Sequence, residues 1–141
     1  MGTRSLTYVY DDVDEPVLCM YRQFDGYPSG HGAELGEFLL PFKIVNGISG
    51  DAKLGKVANG MGCLGAQLVA NFKTEVGNIY LHAPILGRDD CQEYEYHVTD
   101  SSVKVVLNGY EEPDEVIFEG SYEEFFDFCQ EKVKKLENVC R

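Results

Sequence analysis

The chain has 141 residues, 44% of them apolar, and 24 Asp and Glu against 12 Lys and Arg, for a formal net charge of −12. That length and balance predict one globular domain spanning residues 1–141, large enough to hold a core without staples, and exclude disorder of the whole chain. The negative field, with no basic run longer than Lys134-Lys135, argues against general nucleic-acid binding and against attachment to an anionic membrane surface.

Residues 3–10 are rich in β-formers, and Leu6, Tyr8 and Tyr10 share one face by the two-residue period. A polar turn with three Asp, Glu15 and Pro16 follows, then a second strand over residues 17–23, so the two read as an antiparallel hairpin. Residues 23–32 hold three Gly and one Pro and read as an irregular loop, with Ser29 able to cap the helix after it. In that helix Leu35, Phe38, Leu39 and Phe42 make a single apolar stripe, limited by Pro41.

From residue 44 to 58 the period fades and Gly47, Gly50 and Gly55 suggest a flexible connector. Asn59 is a candidate N-cap for a second helix over residues 61–73, with Met61, Leu64, Leu68, Val69 and Phe72 on one face. Gly62, Ala66 and Ala70 line a small-residue face that would admit a neighbouring backbone. Four strands follow, the clearest alternating Tyr94, Tyr96 and Val98 with Glu93, Glu95 and a solvent-facing His97. Asp100-Ser101 and Asn108-Gly109 are candidate hairpin turns.

The last helix opens on a capping box, Ser121 with Glu124, and carries Tyr122, Phe125, Phe126, Cys129, Val133, Leu136 and Cys140 at helical period, with Phe126 at the centre of the stripe. The order is ββ-α-α-ββββ-α. It predicts an α+β fold, with a mainly antiparallel sheet of about five to six strands and three helices over one face.

Five cysteines, 19, 63, 91, 129 and 140, are an odd number with no C-x-x-C spacing. They read as reduced thiols of a cytoplasmic protein, neither a disulfide framework nor a zinc site. No signal-peptide pattern opens the chain, no apolar run reaches the length of a membrane span, and Met1-Gly2 lacks the hydroxyl residue at position 6 (Leu6) that myristoylation wants.

Several motifs carry chemistry. Gly60-Met61-Gly62-Cys63-Leu64-Gly65 matches G-x-G-x-x-G at a helix start, but no convincing strand precedes it and no acidic residue stands about 20 positions on, so a dinucleotide fold is set aside. Its N–H groups remain available to some anion. Residues 50–57 nearly match a P-loop, but Val57 stands where the magnesium-binding hydroxyl belongs. The loop over residues 22–31 gathers Arg22, Asp25, Tyr27, Ser29 and His31. His31 with Asp25 as its orienter would make a general base, and Asp25-Gly26 is equally ordinary turn chemistry. His31, His82 and His97 form a metal site only if the fold gathers them, and none is expected. Arg4 and Arg22, on two pairing strands, would make an anion hook at one sheet edge. Arg22 is expected to send its head past the strand end and to matter little for the fold.

Residues 1–7, MGTRSLT, residues 20–32, MYRQFDGYPSGHG, and residues 58–64, ANGMGCL, resemble a family of small uncharacterised phage and bacterial proteins. The resemblance runs through most of the chain, carries over no catalytic residue, and implies that the three segments belong together in a microbial or viral cytosol.

The leading expectation is a non-enzymatic module that binds or sequesters a small anionic ligand of nucleotide type. Arg4, Arg22, Asp25, Tyr27, Ser29, His31, Asn59, Gly60 and Gly62 would bind it, with no cofactor. The rivals are a hydrolase or transferase that uses His31 and Asp25, and a structural or interaction protein without a ligand. Homo-oligomerisation is left open by the composition.

Overall fold

The computed structural model describes residues 2–139. Strands β1 (Ser5–Tyr10) and β2 (Pro16–Arg22) form the expected antiparallel hairpin, in register from Ser5 opposite Arg22 to Val9 opposite Leu18. The turn is fixed by the Asp11 carboxylate, which accepts the N–H groups of Val13 and Glu15. A single π-helical turn, Pro28–Gly32, runs into α1 (Ala33–Leu39). Then come β3 (Lys43–Val45), β4 (Val57–Asn59), α2 (Gly60–Phe72), β5 (Ile79–His82), β6 (Tyr94–Val98), β7 (Val103–Leu107), β8 (Glu115–Gly120) and α3 (Tyr122–Val139).

The main sheet has six strands in the order β5-β2-β1-β6-β7-β8, and every neighbouring pair is antiparallel except β1 with β6. The fold is therefore α+β and mainly antiparallel. One parallel pair was not foreseen, nor was the short parallel β3–β4 pair inside residues 44–58. That segment is no plain connector: Asn59 uses its side chain to accept the Gly47 N–H and so ties the two strands together.

Alternation divides the sheet into two faces. Ser5, Thr7 and Val9 point to the front with Met20, Arg22, Tyr96, Val98, Val103 and Val105. There the helices lie over them, with Leu35, Leu39, Leu64, Leu68, Phe125 and Cys129 completing one core cluster. Each such Leu contributes about 1.5–3 kcal/mol by leaving water. Leu6, Tyr8 and Cys19 point to the back, where they are equally buried. The reason is topological. β5 and β6 lie on opposite sides of the β1–β2 pair, so the connection over residues 83–93 must cross both strands. The helices occupy the front, so it crosses the back, where Tyr8 donates its hydroxyl proton to the Ile85 carbonyl.

Helix details correct several expectations. In α2 the buried residues are Met61, Leu64, Gly65 and Leu68, whereas Gly62, Ala66 and Ala70 face outward. Gly65 is the small residue that meets another element, against Leu18. In α3 the capping box forms as expected, Glu124 N–H to Ser121 Oγ and Ser121 N–H to Glu124 Oε1. The centre of its stripe is Phe125, fully buried, rather than Phe126, and Leu136 is half exposed. Cys140 lies outside the described residues.

Candidate functional site

The functional candidates of the 22–31 loop are organised by its backbone. Asp25 holds φ +60° and Gly26 lies under β1, where a Cβ would come within 2.7 Å of the Ser5 Cβ. The chain therefore doubles back, with His31 N–H bound to the Asp25 carbonyl and the Tyr96 hydroxyl donating to the Gly26 carbonyl at 2.7 Å. This return drives the His31 side chain into the front core.

His31 is completely buried. Its ring sits 5.0 Å from that of Phe72 and 5.1 Å from that of Tyr96. Arg22 Nη1 donates to Nδ1 at 3.2 Å, which makes Nδ1 an acceptor, so Nε2 carries the proton and donates to Thr7 Oγ1 at 2.8 Å. Burial, with the neighbouring guanidinium second, lowers the His31 pKa to about 3. The imidazole is neutral and both nitrogens are committed, so it has no lone pair left for proton abstraction. Asp25 does not orient it: that carboxylate is exposed and accepts the Tyr27 hydroxyl at 3.1 Å, a bond that raises the Tyr27 pKa.

Arg22 does not send its head into water. It is only 8% exposed, donates Nε–H to the Phe24 carbonyl at 2.6 Å, and uses Nη1 for both His31 and the Glu34 carboxylate of α1. Among the described residues no hydrogen bond uses its Nη2. Arg22 forms part of the wall of a cleft of about 490 Å³, together with Glu34, Glu37, Phe72, Asn71 and Asn78. Within that wall the Glu34 side chain is more than half exposed, in contrast to the guanidinium it pairs with.

The remaining candidates do not converge on this cleft. Arg4 is one residue out of phase with Ser5, the partner of Arg22, so it lies on the back, where it lines a shallow depression with Tyr21, Tyr80 and His82. Tyr27 and Ser29 line a separate groove beside α3. α2 brings its last residue, Phe72, against His31, so Gly60 and Gly62 stand about 15–18 Å away along the helix axis. Ser29 and Asn59 make no side-chain cap.

The back face holds a polar network that alternation alone did not reveal. The Tyr10 hydroxyl meets His97 Nδ1 at 2.6 Å, and His97 Nε2 meets Glu95 Oε1 at 3.0 Å. His97 is thus not solvent-facing: its side chain is 11% exposed and stacks on Tyr8. Gln92 and Asn108 donate to the other Glu95 oxygen, and these bonds together lower the Glu95 pKa despite its burial. Nearby, Asp90 takes Arg88 and His82, and its pKa falls. The three histidines stay apart, and among the described residues no group of three His, Cys, Asp or Glu is placed to hold a metal ion. No helix among the described residues is long and apolar enough to cross a membrane.

Thr7 of residues 1–7 binds His31 of residues 20–32, and Ala58, Met61 and Leu64 pack in the same cluster as Met20. Comparison of the chain with protein-family models, with curated proteins and with solved structures finds no match.

Proposed function

We propose that the protein is a non-enzymatic binding module for a small anionic ligand, nucleotide-type ligands among them, which it holds at Arg22. One observation carries the reading. The guanidinium is pinned from behind by the Phe24 carbonyl and His31, with a free Nη2, and its cleft side is covered by the carboxylate of Glu34. An exposed internal carboxylate on a buried guanidinium occupies the position that a ligand's phosphate or carboxylate would take, with paired donors suited to either. The cleft size lies within the range of small-molecule sites, and Asn71 and Phe72 offer an amide and an aromatic ring to the rest of such a ligand. Glu34 and Glu37 oppose an anion until Glu34 swings away, so Glu34 acts as an internal competitor and sets the affinity.

Calorimetric titration against a panel of nucleotides and small dicarboxylates tests this with the wild type, Glu34→Gln and Arg22→Lys, each below its own melting range. Glu34→Gln is expected to bind about tenfold more tightly, and Arg22→Lys about 10- to 100-fold more weakly, the equivalent of about 1–3 kcal/mol. If Glu34→Gln gained nothing, or no panel member bound any of the three proteins, the Arg22–Glu34 pair would be a clamp between α1 and β2 and the interaction-protein reading would replace this one.

A further inference from the structure

The groove beside α3 differs from the Arg22 cleft in charge. Its volume is about 510 Å³. Tyr27 and Pro28 of the loop, Tyr94 of β6 and Ile117 of β8 form an apolar floor, and Leu136 of α3 closes one side. Leu136 is 50% exposed, a large apolar side chain left to water at the groove edge. Lys132 and Lys135, three residues apart and so on one helix face about 4.5 Å apart along the axis, form the rim.

No carboxylate lines this groove, although the chain carries 24 of them. Among the described residues neither lysine has a carboxylate partner, and Lys132 instead places its ammonium 5.3 Å over the Phe128 ring. In a protein of net charge −12, two unpaired cations over an apolar, acid-free floor are a local reversal of sign. A ligand that fits has an apolar body for the floor and one anionic head for the two ammonium groups.

We infer that this groove binds a free medium-chain alkyl carboxylate, with the chain on Tyr94, Ile117 and Leu136 and the carboxylate between Lys132 and Lys135. The two lysines stand one helical turn apart on the rim, which suits one head group, whereas an acidic peptide extending beyond the groove would meet the negative field of the rest of the molecule. An anionic bilayer would be repelled by the whole molecule. Burying a chain of eight to ten carbons gives the free energy, and the lysines give selectivity for the anion over a neutral analogue.

The test is titration of the full chain with decanoate, held below its micelle concentration, followed by amide chemical shifts and by calorimetry. Decanol serves as the neutral analogue. Decanoate is expected to shift the amides of Tyr94, Ile117 and Leu136, and decanol to bind at least fivefold more weakly. Lys132→Gln with Lys135→Gln should weaken decanoate about tenfold and leave decanol unchanged. Lys135→Gln alone, at an exposed position, gives the same direction should the double variant fold poorly. Equal binding of decanoate and decanol, unchanged binding by the lysine variants, or shifts confined to the Arg22 cleft would each overturn the inference. The last result would assign the carboxylate to Arg22 and leave the proposal for that cleft standing.

Discussion

At the residue scale, the packing of His31 and Arg22 has consequences that solution experiments can read. The folded pKa of His31 is about 3, below the ordinary value of about 6.5. As pH falls below about 6.5 the unfolded chain takes up a proton that the folded chain refuses, so this residue's contribution to stability is present at neutral pH and is lost between about pH 6.5 and 3. The His31 imidazole 15N shifts are expected to stay those of the neutral Nε2–H tautomer at pH 5; a midpoint near 6.5 would contradict the buried geometry. Arg22→Lys replaces a fork that serves the Phe24 carbonyl, His31 and Glu34 with a single ammonium. Urea melts should show a loss of about 1–3 kcal/mol, because at least one buried acceptor is left unmet. The sequence does hold a sign of this burial, since Arg22 shares a two-residue period with Leu18 and Met20, one of them fully buried. What it lacks is the return of the loop, which depends on Asp25 in the left-handed region and on Gly26 beneath Ser5.

At the element scale, α3 is anchored by Phe125, whose ring meets Tyr96 and Phe118. Phe125→Ala is expected to cost about 3–5 kcal/mol, and Phe126→Ala clearly less, by urea denaturation. Equal losses would return the centre of the stripe to Phe126. The two phenylalanines are adjacent, and an apolar stripe wide enough to include both leaves the helix phase uncertain by about 100°, which only the sheet beneath resolves. Strands and helices with a clean period, β1, β2, β6, β7, α2 and α3, were legible for that reason. The three-residue strands β3 and β4 were not, being too short to show any alternation. The β1–β6 pairing was equally invisible, because no local pattern marks a partner nearly ninety residues away. The site followed the same division: the 22–31 loop stood out as a cluster of chemistry, but whether Arg4 or Arg22 faced the helices hinged on a one-residue phase, and the Tyr10–His97–Glu95 chain needed the parallel pairing to exist.

Across the whole molecule, the thiols report on the closure of both faces. Cys19 lies in the back cluster and Cys129 in the front core; burial raises their pKa values to about 11 and about 12. Cys91 is exposed and Cys63 is half-buried. A thiol reagent at pH 8 is expected to modify Cys91 within minutes and to reach Cys19 and Cys129 only at the rate of unfolding. All five cysteines should react once the chain is denatured without reductant. Rapid native modification of Cys19, mapped by peptide mass spectrometry, would mean that the crossing segment over the back face opens on its own.

The path of that segment also fixes an order of events during synthesis. β1 receives β2 almost at once, but its other edge waits for β6, and the cover over Tyr8 and Cys19 comes from the residues between β5 and β6. At about 5–20 residues per second, the nascent hairpin carries an open central edge for roughly 4–15 seconds while residues 23–98 are made. During that time Leu6, Tyr8 and Val9 are bare on a strand ready to pair with any other chain. The finished centre of the sheet is thus a late product of translation, and the crowding of ribosomes on one message bears directly on how much of the protein reaches its native form.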